Sequence, residues 1–379
     1  MAPPAITEDE RYRTSTQFRL WSFTPDKLLA LRTTTNRNAA DRVRDAVRRV
    51  REARAASSAD TSEADGGVGS RAVSAVPEGE VDCLGVEDEL KLVIFYCRQT
   101  IQLGDYLGVP TDVKATAIQY IKRFYTTNSL MTYHPTTLLK TALFFATKTE
   151  NHYTSLTKFA EKITGTKPEE ILASEFLLTQ GLRFTFDVRH PFRALEGAVM
   201  EMQAMASGQI PGTEMQGAPG VERRIKEAHG KAREYLKTSA LLTDVYFHFT
   251  PSQIMMASLL IADQSLTTSY LAAKLPPTDP ANALFREKLT GVLHKCEEML
   301  LSVTPGEPSA SEKKDLAALA KKLKKCRNPE KLDLVGLQKA KREGDGEDEE
   351  KVVKKRKLER EQSAKEGEDL FGPSIKMEA

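Results

Sequence analysis

Cysteine is scarce, with four in 379 residues. Cys83, Cys97, Cys296 and Cys326 stand far apart, with no Cys-x-x-Cys and no histidine at ligand spacing. That spacing disfavours a disulfide frame or a zinc site and fits free thiols in a reducing compartment. A long apolar run is missing too. The longest, Ile254 to Ala262, falls far short of the ~20 residues that a bilayer-spanning helix needs. The start, Met-Ala-Pro-Pro-Ala, lacks the basic residues and apolar core of a secretion signal. The expectation is a soluble intracellular protein with no membrane contact. Neither charge is in excess: 55 Lys and Arg against 53 Asp and Glu leave +2, too little to draw the whole chain onto nucleic acid.

Signatures of catalysis are absent as well. The chain has no His-Glu-x-x-His, no Gly-x-Ser-x-Gly and no glycine-rich kinase loop. Gly165-Thr166-Lys167 lacks the rest of a phosphate loop, and Gly66-Gly67-Val68-Gly69 follows no strand and precedes no helix. No catalytic residue, no metal and no cofactor are expected.

What is present is helix. A hydrophobic content of 40% permits real cores, and 28% charged residues leave much solvated surface. The run from Tyr133 to Lys148 organises the rest. His134 can cap it, and Pro135 suits the first helical position, where an N–H has no intrahelical acceptor to lose. At 100° per residue, Leu138, Leu139, Ala142, Phe145 and Ala146 share one broad face, with Leu143 at its edge and Phe144 almost opposite. A helix apolar on most sides must be surrounded by other helices, so this one reads as the hub of a bundle. Lys148 interrupts the apolar surface between Phe144 and Phe145, and Glu175 falls within the stripe Ile171, Leu172, Phe176, Leu178 and Leu182. An acid in such a stripe costs stability unless it is paired or meets another protein. An internal Lys148 to Glu175 salt bridge and a contact with a partner both fit the pattern.

Residues 1–56 form an amino-terminal segment. Its polar start leads through Phe18, Leu20, the only tryptophan, Trp21, and Phe23 into Thr24-Pro25, the opening of a helix that carries Leu28 and runs to about Thr33. Trp21, Phe23 and Leu28 are the contacts expected of this segment, whether to anchor it or to shape a docking surface. A second helical pattern from Ala39 to Ala56 has an arginine excess and reads as a solvated face. Residues 57–80, rich in Ser, Ala, Gly and acid, read as a flexible insertion.

Residues 81–187 carry five helical patterns with short connections, as in a compact helical domain. They are Glu87 to Leu103, one from Pro110, the hub from Pro135, Ser155 to Ile163, and Glu169 to Leu182. Residues 188–305 form a second unit, because the hub has an echo at an offset of 116 residues. Tyr133-His134-Pro135 is answered by Phe249-Thr250-Pro251, and Leu143 to Ala146 by Leu259 to Ala262. Lys148 is answered by Gln264, so the charge belongs to the first unit alone. Helices are expected around this second hub at about 190–205, 222–247, 266–274 and 282–303, with a Gly/Pro/Met-rich loop at 207–220. Residues 306–335 add a helix from Ser311 with Leu316, Leu319, Ala320 and Leu323 on one side. Residues 336–379 are a charged tail with too little apolar content to fold. Its Lys354-Lys355-Arg356-Lys357 has the composition of a nuclear import signal and equally that of a solvated charge run.

Four motifs sharpen the picture: Trp21-Ser22-Phe23 running into Leu31-Arg32-x-x-x-Asn36-Arg37, Tyr120-x-x-x-Phe124-Tyr125-x-x-Asn128-Ser129, Met131-x-Tyr133-His134-Pro135, and Phe249-Thr250-Pro251-Ser252-Gln253-Ile254. With the two hubs they resemble the cyclin family, in the branch that serves the CDK-activating kinase. The likeness covers about residues 14–335 apart from the insertion and the 207–220 loop. It implies an all-α tandem cyclin fold, two five-helix cyclin boxes with extra amino- and carboxy-terminal helices. By that resemblance Lys148 and Glu175 match the pair with which cyclins grip a kinase's mobile helix and the chain before it. Phe145, Phe176, Phe184 and Phe186 match the apolar patch around them, and the amino-terminal helix influences kinase activation.

The resemblance further implies a cyclin-dependent kinase catalytic subunit, a RING-finger assembly factor and the TFIIH core as partners. It implies a nuclear location, no direct sequence-specific nucleic-acid contact, and CDK activation loops and RNA polymerase II carboxy-terminal repeats as the kinase's substrates. Two departures from cell-cycle cyclins stand out. Lys91-Leu92-Val93-Ile94-Phe95 replaces their substrate-docking Met-Arg-Ala-Ile-Leu stretch, and Lys122 stands where they carry an acid before Arg-Phe, which puts their internal Arg to Asp bridge in doubt. The alternatives are another transcriptional cyclin, opposed by the Trp21 segment, and a TFIIB-like DNA-binding tandem fold, opposed by the near-neutral charge and the missing zinc ribbon.

Overall fold

The computed structural model describes residues 8–59, 81–210, 215–276, 280–303, 306–332 and 334–336. Residues 60–80, the loop tip 211–214 and the tail from 337 with its basic tetrad lie outside them. Among the described residues the regular elements are all helices. An amino-terminal trio comes first: α1 (Glu8–Thr14), α2 (Thr16–Trp21) and α3 (Pro25–Ala59). The first five-helix group is α4 (Val86–Leu107), α5 (Thr111–Thr127), α6 (Pro135–Thr149), α7 (Leu156–Glu161) and α8 (Pro168–Gly181). The second comprises α9 (Phe192–Ala206), α10 (Val221–Lys237), the single turns α11 (Ser239–Leu242) and α12 (Val245–His248), α13 (Pro251–Ala262), α14 (Gln264–Lys274) and α15 (Pro280–Leu301). Then comes α16 (Ala310–Lys325). A separate unit begins at Asp333.

Both hubs are where the echo puts them. His134 Nδ1 accepts from the Thr136 N–H at 3.3 Å at the start of α6, and Pro135 fills the first position. Leu138, Leu143, Phe144 and Ala146 are buried as α6 packs against α4, α5 and α8. Thr250 and Gln253 exchange hydrogen bonds of 2.9 and 3.3 Å at the start of α13, a reciprocal cap that satisfies two otherwise orphaned donors. That helix is surrounded by α9, α10, α14 and α15. The last turns differ. Asp263 is extended (φ −156°, ψ 98°) and α14 begins at Gln264, so α13 stops before the position that Lys148 occupies in α6.

Two sequence expectations are corrected. The helices expected at Pro25 to Thr33 and Ala39 to Ala56 are one continuous helix, α3, which runs into the first residues of the supposed insertion. No Gly or Pro interrupts 34–38, and Asn36, instead of breaking the helix, is buried and donates to Leu84 O at 3.0 Å and Glu89 Oε2 at 2.9 Å. The polar residues before Trp21 form two short helices, with Tyr12, Gln17 and Trp21 buried. The helix expected over 222–247 is broken at Thr238 (φ −121°, ψ −82°) and again after Leu242. There the carbonyls of Leu241 and Thr243 turn to the buried ammonium of Lys122, which takes them out of a helical ladder. The arginine excess of α3 is solvated as expected, with Arg44, Arg48 and Arg49 paired to Asp41, Asp45 and Glu330.

Candidate partner-binding site

Lys148 lies in the last turn of α6 and Glu175 in the middle of α8, and the packing of these two helices brings the side chains together. Lys148 Nζ is 2.6 Å from Glu175 Oε1, with side-chain exposures of 36% and 21%. The ammonium also sits 4.6 Å above the centre of the Phe144 ring, a cation–π contact that adds to the ion pair. Glu175 Oε2 is shielded from solvent and accepts no hydrogen bond from the chain. The pair is therefore formed within the free chain and is reachable from outside. The two helices and the turns after them also carry outward apolar side chains: Phe176 is 49% and Phe184 61% exposed, with Leu172 and Tyr153 also outward. Phe145 is placed differently. It is buried, 5.7 Å from Tyr120 and 4.9 Å from the half-buried Phe186, so it supports the patch from below instead of facing outward.

The turn after α8 presents Phe184. Arg183 and Phe184 are consecutive left-handed residues (φ +53° and +54°), a conformation that costs a non-glycine residue about 1–2 kcal/mol. The backbone closes α8 around them, with Arg183 N–H donating to Gln180 O at 2.9 Å and Phe184 N–H to Thr179 O at 3.0 Å. Strain of this kind persists where the surroundings fix it. Tyr120 OH donates to Phe186 O at 2.7 Å, and Arg123 donates to Asp187 O at 3.2 Å. Burial pulls the Arg123 guanidinium down to about 10, and it stays charged at neutral pH.

The amino-terminal contacts lie beside this turn. Trp21 and Leu28 are buried with Phe247 in a small cluster against which Phe23 packs, and Phe23 N–H donates to Phe247 O at 2.8 Å. Trp21 Nε1 donates to Thr185 Oγ1 at 2.9 Å. Among the described residues no group of His, Cys, Asp and Glu is arranged to hold a metal, and no helix is long and apolar enough to cross a membrane.

Comparison with known proteins agrees with this architecture. Residues 97–187 match the cyclin N-terminal domain and residues 190–301 the cyclin C-terminal domain. The chain is 30% identical over 382 residues to the cyclin CCL1 of Saccharomyces cerevisiae, covering 93% of this chain and 88% of that one. The chain belongs to the cyclin family. A chain of the CAK complex of Chaetomium thermophilum, solved with ATP-gamma-S, is 38% identical, with a TM-score of 0.73 over 90% of this cyclin and 96% of that chain. A chain of the yeast TFIIK (Kin28/Ccl1/Tfb3) complex is 29% identical, with a TM-score of 0.54 over 76% of this cyclin and 100% of that chain.

The departure at Lys122 is resolved across the two boxes. Lys122, 3% exposed, reaches Asp244 of the second box at 3.5 Å, and Arg32 of α3 joins the same carboxylate. Burial alone would raise the Asp244 carboxyl, and Lys122 and Arg32 overcome it, holding it well below the usual range. His190 forms another link between the boxes, with Thr116 Oγ1 at 2.8 Å and Tyr246 OH at 3.0 Å. Burial, with help from Arg123, pulls His190 down to about 3, so it is neutral. Sequence reasoning missed Leu172 and Tyr153 as outward residues, and also Gln17, Arg123, Arg183 and Thr185 around Trp21. Of these only Leu172 left a trace, as a member of the Glu175 stripe.

Proposed function

We propose that this cyclin is the regulatory subunit of a CDK-activating kinase, which binds a cyclin-dependent kinase through its first box and holds the kinase's mobile helix in the active position. The observation that carries the reading is the Lys148–Glu175 pair, accessible, with Glu175 on a helix that also presents outward Phe176 and is followed by a turn that presents Phe184. After one bond to Glu175, an ammonium keeps donors for a carbonyl, and the part-exposed Glu175 carboxylate keeps lone pairs for an N–H. Together they offer what a stretch of partner backbone requires, and the apolar rim excludes the water that would screen it.

With the mobile helix held inward, the kinase's own Lys–Glu pair and its metal-binding Asp come into register, so catalysis belongs to the partner. The similarity to chains of the CAK and TFIIK complexes supports extending the partners to a cyclin-dependent kinase and a RING-finger assembly factor, and beyond them to the TFIIH core in the nucleus. Substrates on this reading are CDK activation loops and the RNA polymerase II carboxy-terminal repeats.

Titration of a kinase subunit against Lys148→Ala and Glu175→Ala variants tests the site. Truncating one desolvated partner at an interface costs about 2 to 5 kcal/mol, roughly 30-fold to several thousand-fold in affinity. Wild-type binding by both variants would overturn the proposal.

A further inference from the structure

We infer that Trp21 is a positioning residue for the kinase site, resting on the function proposed above. It acts by fixing the presentation of Phe184 and does not touch the partner itself. The indole is 1% exposed, yet it holds the residues on either side of Phe184. Its Nε1 donates to Thr185 Oγ1 at 2.9 Å, and that hydroxyl donates onward to Leu182 O at 2.7 Å, so the Thr185 side chain has one orientation. Its ring carries the Arg183 guanidinium at 5.2 Å.

The same ring also meets Arg123, at 5.3 Å. Arg123 in turn donates to the carbonyls of Thr185 and Asp187 at 3.5 and 3.2 Å. Gln17, one turn earlier in α2 and equally buried, accepts from the Arg189 N–H at 2.6 Å. Residues 182–189 are thus held from the core side by α5 and from the other side by α2. A tryptophan that only anchored the amino terminus would need buried area alone. This one grips the two neighbours of an exposed phenylalanine in a left-handed turn.

Removing the indole risks the fold, so the test uses its acceptor in the full-length cyclin, titrated with the CDK-activating-kinase catalytic subunit of its own species. Thr185→Val keeps the size and removes the hydroxyl with both its bonds, to Trp21 and to Leu182, Thr185→Ser restores the hydroxyl, and Phe184→Ala removes the presented ring. Thr185→Val is expected to weaken binding about tenfold, since only part of the cost of the two lost hydrogen bonds falls on the bound presentation of Phe184. Thr185→Ser is expected to bind within about twofold of wild type, and Thr185→Val to cost nothing further in the Phe184→Ala background. Because Trp21 is the only tryptophan, 5-fluorotryptophan gives one fluorine resonance, expected to move when the kinase binds although the indole is covered.

Wild-type affinity for Thr185→Val, a loss that adds in full to that of Phe184→Ala, or an unmoved resonance would overturn the positioning role alone. Wild-type affinity for Phe184→Ala would sink both this role and the assignment of Phe184 to the interface, leaving Lys148 and Glu175 to be judged by their own variants.

Discussion

The carboxylate of Asp244 takes both terminal nitrogens of Arg32, at 2.6 and 2.9 Å. Those bonds fasten α3 to the second box, and Lys122 of the first box completes the cluster. Asp244→Asn would leave Lys122 buried without its counter-charge, and the expected loss is about 3 kcal/mol in urea unfolding. The same change should alter the acid limb of stability. The folded carboxyl titrates below its unfolded value, so its contribution is complete above about pH 4 and is lost as pH falls below that. The variant should lack this part of the acid dependence.

His190 predicts a second pH effect at milder acidity. Its folded value of about 3 lies under an unfolded value near 6.5. Below about pH 6.5 the unfolded chain takes up a proton that the folded chain refuses, so stability is complete above that point and declines as pH falls toward 4. His134, pulled down to about 4 by burial and neighbouring cations, acts with the same sign. Thermal midpoints should fall between pH 7 and 5, and His190→Gln should reduce the slope without abolishing it.

Gly181 is the last residue of α8, just before the left-handed turn. A Cβ there would lie 2.4 Å from Phe124 Cδ2 and 2.7 Å from its Cε2, and Phe124 is fully buried. Gly181→Ala is expected to lose about 1–3 kcal/mol in thermal unfolding.

Charge exchange separates the two uses of the Lys148–Glu175 pair. The double variant Lys148→Glu, Glu175→Lys keeps an ion pair between α6 and α8 but reverses its polarity toward a partner. Its stability should fall by no more than about 1–2 kcal/mol, because the reversed pair keeps the attraction between the helices but loses the cation–π contact with Phe144 and places a carboxylate in the last turn of α6. Kinase binding should nevertheless be lost. Recovery of binding along with the ion pair would mean that the two residues serve only the fold.

Local periodicity carried most of the architecture. The hubs could be read because Pro135 and Pro251 mark starts and the residues that follow are apolar all round. What could not be read depended on distant partners. Asn36 looks like a helix breaker until Leu84 and Glu89 are beside it. The interruption after Leu242 comes from a lysine about 120 positions earlier in the chain. In the site, Lys148 and Glu175 were legible as charges set in apolar stripes, whereas Phe145 shared their wheel and proved to be core. The turn at Arg183 and Phe184 had no sequence cue at all, because neither residue type favours a positive φ.

The early end of α13 has a consequence for how many partners one molecule can hold. Where the first hub offers Lys148, the second offers Gln264, the first residue of α14, and the Asp263 before it is already spent on Arg224 at 2.8 and 3.0 Å and on the start of α14. On the function proposed above, only the first box carries the seat for a kinase, and the expected stoichiometry, checked by mass photometry of the complex, is one to one.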